Sequence, residues 1–124
     1  MPTDETKKQD SSSYPEAITH LPEAEFAIKG GRAWISQSVT HQIVFFEVAA
    51  GLDLPRHSHS YPQWGIVIEG KMELTVDGKS NVYQKGDEYL VPIGAVHCAH
   101  FLEKSRVMDF FSEKSRYKSK SPLE

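Results

Sequence analysis

The feature that most constrains the fold of this chain is a series of short β-prone segments separated by turn residues. Residues 42–50, Gln-Ile-Val-Phe-Phe-Glu-Val-Ala-Ala, are rich in β-branched and aromatic side chains and end at Gly51. Residues 71–76 alternate with period two, and the Asp77-Gly78 pair that follows them is a strong hairpin signal. No stretch of the sequence shows a helical period. The sequence therefore predicts an all-β sandwich or barrel, and a jelly roll closes the sheets of one small domain economically.

Length and composition predict one domain with two polar ends. The chain has 124 residues, which is enough for one packed core and too few for two ordinary domains. Residues 1–13 carry no aliphatic side chain after Met1, so we expect a disordered N-terminal arm. Residues 14–111 form the predicted single domain, and we expect residues 112–124 to be a Lys- and Ser-rich polar tail that frays.

Charge and hydropathy argue against several classes of partner. The formal net charge of -3 gives no electrostatic reason to expect nucleic acid. No run approaches the ~18 apolar residues of a membrane span, and the polar N-terminus lacks the apolar segment of a secretory signal. The single Cys98 agrees with a reducing compartment. We therefore expect no nucleic-acid partner, no membrane partner and a cytoplasmic location.

The densest chemistry of the sequence is a pair of histidines. His57 and His59 are two residues apart, so in an extended segment both imidazoles leave the same face. This is a metal-ligand spacing, but two imidazoles do not fill a coordination sphere. Gln63 and His97 are the candidates for the remaining ligands. His100 lies at an odd offset from His97, so we expect it to point to the opposite face.

Aromatic and basic residues supply candidates for a substrate pocket near these ligands. The aromatic candidates for the wall of a small apolar cavity, each of which also suits plain core packing, are Tyr61, Trp64, Phe101 and Phe111. The arginines considered as carboxylate partners are Arg32, Arg56 and Arg116. Arg56 neighbours His57 in sequence, so its side chain is expected on the other face of the strand.

Two spaced patterns together resemble the motifs of the cupin superfamily. The first pattern stands at Gly51, His57, His59, Gln63 and Gly70, with Gln63 where the family has Glu. The second stands at Gly86, Pro92, Gly94 and His97, with Phe101 where the family has Asn. The resemblance implies a double-stranded β-helix, or jelly-roll barrel, and often a homodimer. It also implies one divalent metal ion, which is zinc, nickel, iron or manganese, held by His57, His59, Gln63 and His97.

The glutamine in this ligand set bears on the chemistry. Three neutral imidazoles and an amide leave the full +2 charge on a divalent ion, which makes it a stronger Lewis acid. The set also departs from the two-histidine, one-carboxylate triad of many non-haem iron oxygenases. These considerations favour non-redox chemistry. The alternative is a degenerate site in which the same residues hold no metal.

A narrower resemblance concerns residues 107–112, Val-Met-Asp-Phe-Phe-Ser, with Arg116 beyond them. The Asp-x-Phe-Ser segment is similar to that of the small pectin-degradation cupins, which linearise unsaturated uronates. This resemblance implies that Asp109 acts as general acid/base beside Gln63, that Phe111 flanks the substrate and that Arg116 holds its carboxylate.

The function hypothesis that follows is a small Lewis-acid metalloenzyme of the lyase or isomerase type. Its substrate would be a sugar-acid-like or other small oxygenated metabolite. Two alternatives stay open: a non-enzymatic cupin that binds a sugar or another small ligand, and a cupin dioxygenase.

Overall fold

Nine β-strands dominate residues 12–120, the part of the chain that the structure, a computed structural model, describes. A short helix, α1 (Glu16–Thr19), precedes them. The strands are β1 (Gly31–Gln37), β2 (Gln42–Val48), β3 (Asp53–His57), β4 (Gln63–Glu69), β5 (Lys71–Val76), β6 (Lys79–Gln84), β7 (Glu88–Val91), β8 (His97–Phe101) and β9 (Ser105–Phe111). Residues 1–11, most of the predicted N-terminal arm, and residues 121–124 lie outside the described residues. No helix within residues 12–120 is long and apolar enough to cross a membrane.

The strands form two antiparallel sheets whose order differs from the order of the chain. The larger sheet has the order β1-β2-β9-β4-β7, and the smaller has the order β3-β8-β5-β6. β9 therefore lies between β2 and β4, although more than fifty residues separate it from β2. β5 and β6 are joined by the predicted hairpin, in which Asp77 has φ 49° and Gly78 has φ 83°. The prediction of an all-β jelly-roll fold is confirmed.

The core lies between the two sheets because side chains alternate along the strands. Every second residue of β2, β8 and β9 is buried, and the same holds for the first five residues of β4. Val44, Phe46, Met72, Phe101 and Val107 are at most 4% exposed. Fully burying one such side chain stabilises the fold by roughly 1.5–3 kcal/mol. The inward positions nearest the histidine end carry polar side chains instead, and these form the candidate site.

The described part of the C-terminal tail packs against the body of the protein. The amide of Glu25 donates to the carbonyl of Lys118 at 2.7 Å, and the amide of Lys120 donates to the carbonyl of Glu23 at 2.8 Å. Ser119 forms a β-bridge with Ala24. The expectation that the tail frays is therefore wrong for residues 112–120, because backbone hydrogen bonds to residues 23–25 stabilise a segment whose composition is polar.

Candidate metal centre

Three histidines meet where the ends of β3 and β8 pair. His57 is the last residue of β3, and it lies directly opposite His97, the first residue of β8. Their ring centroids are 4.1 Å apart, and the ring of His59 lies 4.9 Å from that of His97. One possible ligand atom from each of the three lies within 4.8 Å of the others. His100 is elsewhere, since its Nδ1 lies 2.6 Å from Asp53 Oδ1, as its odd offset from His97 predicts.

Backbone carbonyls fix the same tautomer in all three rings. The Nδ1 atoms of His57, His59 and His97 lie 2.9, 2.7 and 2.9 Å from the carbonyl oxygens of Pro55, Tyr61 and Ala95. A carbonyl oxygen only accepts, so each Nδ1 carries the proton and each neutral ring presents an unprotonated Nε2. The Nε2 of His97 is buried and has no hydrogen-bond partner among residues 12–120. Metal-ligating histidines have this arrangement, in which the second ring nitrogen donates to a carbonyl.

Electrostatics keep two of these rings neutral. Burial lowers the pKa of His97 below its ordinary 6.5, and nearby His57, His59 and Arg116 lower it further, against the hydrogen bond to Ala95. Burial likewise lowers the pKa of His57. A lower pKa leaves the Nε2 lone pairs available for coordination at neutral pH.

Gln63 lies between the histidines and a buried carboxylate. Its Oε1 is 3.1 Å from the Nε2 of His59, and its side chain is hydrogen-bonded to Asp109. Because the Asp109 carboxylate accepts, the Gln63 amide group donates to it, and the Gln63 oxygen is left facing the unprotonated Nε2 of His59. Two acceptors that face each other are stabilised by a cation between them. The donor set of three Nε2 atoms and one amide oxygen therefore fits a divalent metal ion.

Asp109 is the most perturbed acid of the site. The Tyr89 hydroxyl donates to its Oδ1 at 2.7 Å. Burial raises the pKa of Asp109 from 3.8 to about 6, against the opposing effects of the hydrogen bonds from Tyr89 and Gln63 and of the Arg116 charge. A pKa close to neutrality suits a group that both donates and accepts protons.

Gly65 makes room for this acid. It pairs with Asp109 on β9 and with Tyr89 on β7, so the three residues form a row across the larger sheet. A Cβ atom at Gly65 would lie less than 3.0 Å from both Asp109 Oδ1 and the Tyr89 ring. Only glycine allows the carboxylate and the phenol to approach each other over β4.

A cavity of about 470 Å³ lies beside these groups, and its lining residues can be compared with the predicted pocket residues. Phe101, Phe111 and Arg116 line it. Trp64 follows Gln63 by one residue and lies on the outer face of β4, where its indole nitrogen donates to Glu88 at 3.1 Å. Its predicted place in the pocket is therefore wrong. Tyr61 does not line the cavity either, and instead stacks on His59 with ring centroids 4.4 Å apart.

The sequence also matches a family model, the one described as Cupin domain, over residues 44–111. The chain belongs to the cupin family. No curated protein matches its sequence.

Solved structures agree with this membership of the cupin family. An RmlC-like cupin from Shewanella frigidimarina is 23% identical, with a TM-score of 0.72 over 86% of this chain and 95% of that one. KdgF from Halomonas sp. is 26% identical, with a TM-score of 0.68 over 73% of this chain and 86% of that one. An oxalate decarboxylase variant from Bacillus subtilis is 22% identical, with a TM-score of 0.67 over 79% of this chain and 29% of that one.

In this cupin the C-terminal segment brings a positive charge to the metal centre. The guanidinium of Arg116 lies over the rings of Phe111 and Tyr117, at 5.4 and 4.7 Å from their centroids. One of its terminal nitrogens is 3.5 Å from the Nε2 of His57. Its buried Nε has no hydrogen-bond partner within the described chain. Arg116 therefore places a positive charge on the cavity wall next to His57.

Gln42 holds this segment in place and was missed in the sequence. Its Nε2 donates to the Tyr117 carbonyl at 2.9 Å, and its Oε1 accepts from the Tyr117 amide at 3.0 Å. The side chain is 1% exposed, so the two bonds are shielded from water. Tyr89 and Gly65 were also missed, although a glycine within a strand is a known signal of close approach. No local sequence pattern indicates the role of Gln42, because its hydrogen-bond partner, Tyr117, lies 75 residues away.

We expect Gln42→Leu to loosen the segment that carries Arg116 while the metal centre stays intact. The change leaves the Tyr117 amide and carbonyl unpaired, which costs on the order of 1–3 kcal/mol of unfolding free energy. Hydrogen exchange at residues 112–120 should accelerate, and metal content should stay at the wild-type level. Gln84→Leu is the matched control, because Gln84 is an exposed glutamine of β6 in the smaller sheet, away from residues 112–120. Unchanged exchange in Gln42→Leu would contradict the positioning role.

Proposed function

We propose that this cupin is a metal-dependent enzyme of the lyase or isomerase type that acts on a small oxygenated carboxylate. The observation that carries the proposal is the convergence of three tautomer-fixed Nε2 atoms beside a buried acid. His57, His59, His97 and Gln63 would hold the ion. When bound, a divalent ion with neutral ligands supplies a Lewis acid that polarises a carbonyl or hydroxyl oxygen.

The charges around the site support an anionic substrate. The three histidines and Gln63 are neutral donors, Arg116 is positive, and Asp109 is negative above its pKa of about 6. With a divalent ion added, the site has a surplus of positive charge, which a carboxylate offsets. The guanidinium of Arg116 provides a planar pair of donors suited to a carboxylate.

Asp109 is the proposed general acid/base. It lies on the cavity wall together with Gln63, and its pKa of about 6 allows both protonation states near neutral pH. Tyr89 and Gln63 orient the carboxylate by donating to it. Asp109 would therefore move a proton on a substrate whose carboxylate is held by Arg116 and whose oxygen faces the histidines.

Unsaturated uronates are the substrates that the resemblance of residues 109–112 to the pectin-degradation cupins implies. The likeness to KdgF of Halomonas sp. supports testing them first. The homodimer and the cytoplasmic location stay predictions.

Elemental analysis of protein purified without chelator tests the metal proposal. We expect about one divalent ion per chain in the wild type, and loss of that ion in a His57→Ala, His97→Ala double variant, because too few donors remain. His100→Ala is the matched control, since this histidine lies three residues from His97 but bonds to Asp53 instead. Equal metal content in the wild type and the double variant would refute the site.

Activity assays then distinguish a lyase or isomerase from a dioxygenase and from a binding protein without activity. Turnover of an unsaturated uronate by the metal-loaded protein, without consumption of oxygen, is the expected result. Oxygen consumption by iron-loaded protein with a diketone or a thiol would support a dioxygenase instead. Metal-dependent ligand binding that Asp109→Asn leaves unchanged, with no turnover of any test acid, would support a binding protein.

A further inference from the structure

Polar groups cluster on one part of the cavity wall, and most of the remaining wall is apolar. His57, Gln63, His97 and Asp109 gather at the polar end, with Arg116 at the C-terminal segment beside them. The rest of the wall consists mainly of aliphatic and aromatic side chains, among them Phe26, Ile28, Leu54 and Phe101, while Glu25, Ser58, Cys98 and Tyr117 also line it. The change from polar to apolar lining therefore falls inside one cavity of about 470 Å³, which has the size of a small-ligand site.

The alternation of side chains along β8 and β9 determines where polar and apolar groups lie in the cavity. Along β8, His97 is followed at inward positions by Ala99 and then Phe101, and at ~3.3 Å per residue Phe101 lies about 13 Å from His97. Along β9, Asp109 is followed toward the interior by Val107. A ligand whose oxygens face the histidines therefore has its remaining atoms against hydrocarbon.

Hydroxyl groups of the ligand that face the aliphatic and aromatic side chains would find no partner in them, and several polar groups at the histidine end are already engaged. Asp109 already accepts from Tyr89 and Gln63, and the Nδ1 atoms of His57 and His97 already donate to backbone carbonyls. Each buried hydroxyl without a partner lowers affinity by about tenfold or more, whereas a methylene in the same place raises it several-fold.

We propose that the natural ligand is a small carboxylate with an apolar body, whose acid group binds at Arg116 and the histidines and whose hydrocarbon part fills the inner cavity. The part of this proposal that concerns the binding of the carboxylate rests on the proposed function. Within the class of small oxygenated acids, it ranks hydrocarbon or deoxygenated acids above fully hydroxylated sugar acids.

Calorimetric titration of the metal-loaded, full-length protein with two ring acids tests the preference. Cyclohexanecarboxylate and galacturonate both have a six-membered ring and one carboxylate, and they differ in the hydroxyls. We expect cyclohexanecarboxylate to bind at least about tenfold more tightly, because its ring replaces cavity water without leaving polar groups unpaired. Equal affinity, or tighter binding of galacturonate, would overturn the inference.

Two variants of the cavity wall test whether cyclohexanecarboxylate binds against the apolar side chains. Leu54 and Ile28 are partly buried residues of the cavity wall. Leu54→Asn and Ile28→Asn should each weaken cyclohexanecarboxylate several-fold and change galacturonate by less than about twofold. Arg116→Gln should weaken both acids, because it removes the shared partner of the carboxylate. If cyclohexanecarboxylate binds these variants and the wild type equally, the apolar wall is not its site.

Elemental analysis of protein purified without chelator, together with the calorimetric titrations, distinguishes this inference from the proposed function. Absence of metal together with an intact preference for cyclohexanecarboxylate would refute the metalloenzyme and support the apolar cavity. Bound metal together with a preference for galacturonate would refute the apolar ligand and leave the metalloenzyme standing.

Discussion

Asp109→Asn should abolish turnover and, at the same time, make the metal-free protein more stable at alkaline pH. The amide cannot exchange a proton near neutrality, and loss of a general acid/base typically lowers rates by about 10²–10⁴-fold. The asparagine oxygen can still accept from Tyr89, which donates to this position at 2.7 Å, and metal content is measured in the same samples because the asparagine nitrogen cannot accept from Gln63. Steady-state kinetics measures turnover, and calorimetric titration of the same variant measures its affinity for the ligand.

The stability effect follows from the pKa of Asp109, which burial raises from 3.8 to about 6. Between these values the native state binds a proton that the unfolded state releases, so unfolding free energy falls as pH rises through this window. Above both values the buried Asp109 charge lowers the unfolding free energy by its full amount, on the order of 3 kcal/mol. Asparagine carries no charge, so the variant avoids this loss. The stability gain of Asp109→Asn should therefore be about 2–3 kcal/mol larger near pH 8 than near pH 4.

Urea unfolding of chelator-treated protein at the two pH values measures this difference without interference from bound metal. Asp87→Asn is the control for loss of a carboxylate, because Asp87 is exposed and its Oδ2 accepts only a turn hydrogen bond from the Gln84 amide. It should leave turnover at the wild-type level. If Asp109→Asn and wild-type protein had parallel profiles between the two pH values, the carboxylate would not be the buried charge described here.

Local spacing was enough to predict which histidines the structure brings together. His57, His59 and His97 were chosen from strand parity and motif spacing, and parity also excluded His100. The same rule applied to Trp64 would have placed it outside the barrel, since it follows inward-facing Gln63 by one residue. The alternation of β4 therefore argues against the predicted place of Trp64 in the pocket.

Other parts of the site depend on contacts that the sequence does not encode locally. Gln42 and Tyr117 meet through two hydrogen bonds across 75 residues, and this pairing brings Arg116 to the cavity. The polar composition of residues 112–120 predicts fraying when it is considered alone. Packing of the Arg116 guanidinium on Phe111 and Tyr117 outweighs that tendency, and it could be recognised only after β2 and β9 were known to be neighbours.

Gly65→Ala should damage both stability and turnover because it inserts a methyl group where Asp109 and Tyr89 meet. The added Cβ would lie less than 3.0 Å from both side chains, and neither is free to retreat, since Asp109 is 6% exposed and Tyr89 is 5% exposed. Overpacking of this kind costs about 1–3 kcal/mol, and more where a buried hydrogen bond is also broken. We expect a loss of at least about 3 kcal/mol in urea unfolding and a loss of turnover comparable to that of Asp109→Asn.

Gly31→Ala is the matched control for this substitution. A Cβ at Gly31 would also approach an aromatic ring to less than 3.0 Å, but that ring belongs to Phe26, which is only partly buried and can move. The control should lose about 1 kcal/mol or less, and because Phe26 lines the cavity, only its stability and metal content are compared with those of Gly65→Ala. Metal content should be unchanged in Gly31→Ala, whereas in Gly65→Ala it also reports on Gln63, which is hydrogen-bonded to the displaced Asp109. Wild-type stability in Gly65→Ala would show that Asp109 and Tyr89 are not held together over β4, and the proposed acid would then lack the burial that sets its pKa.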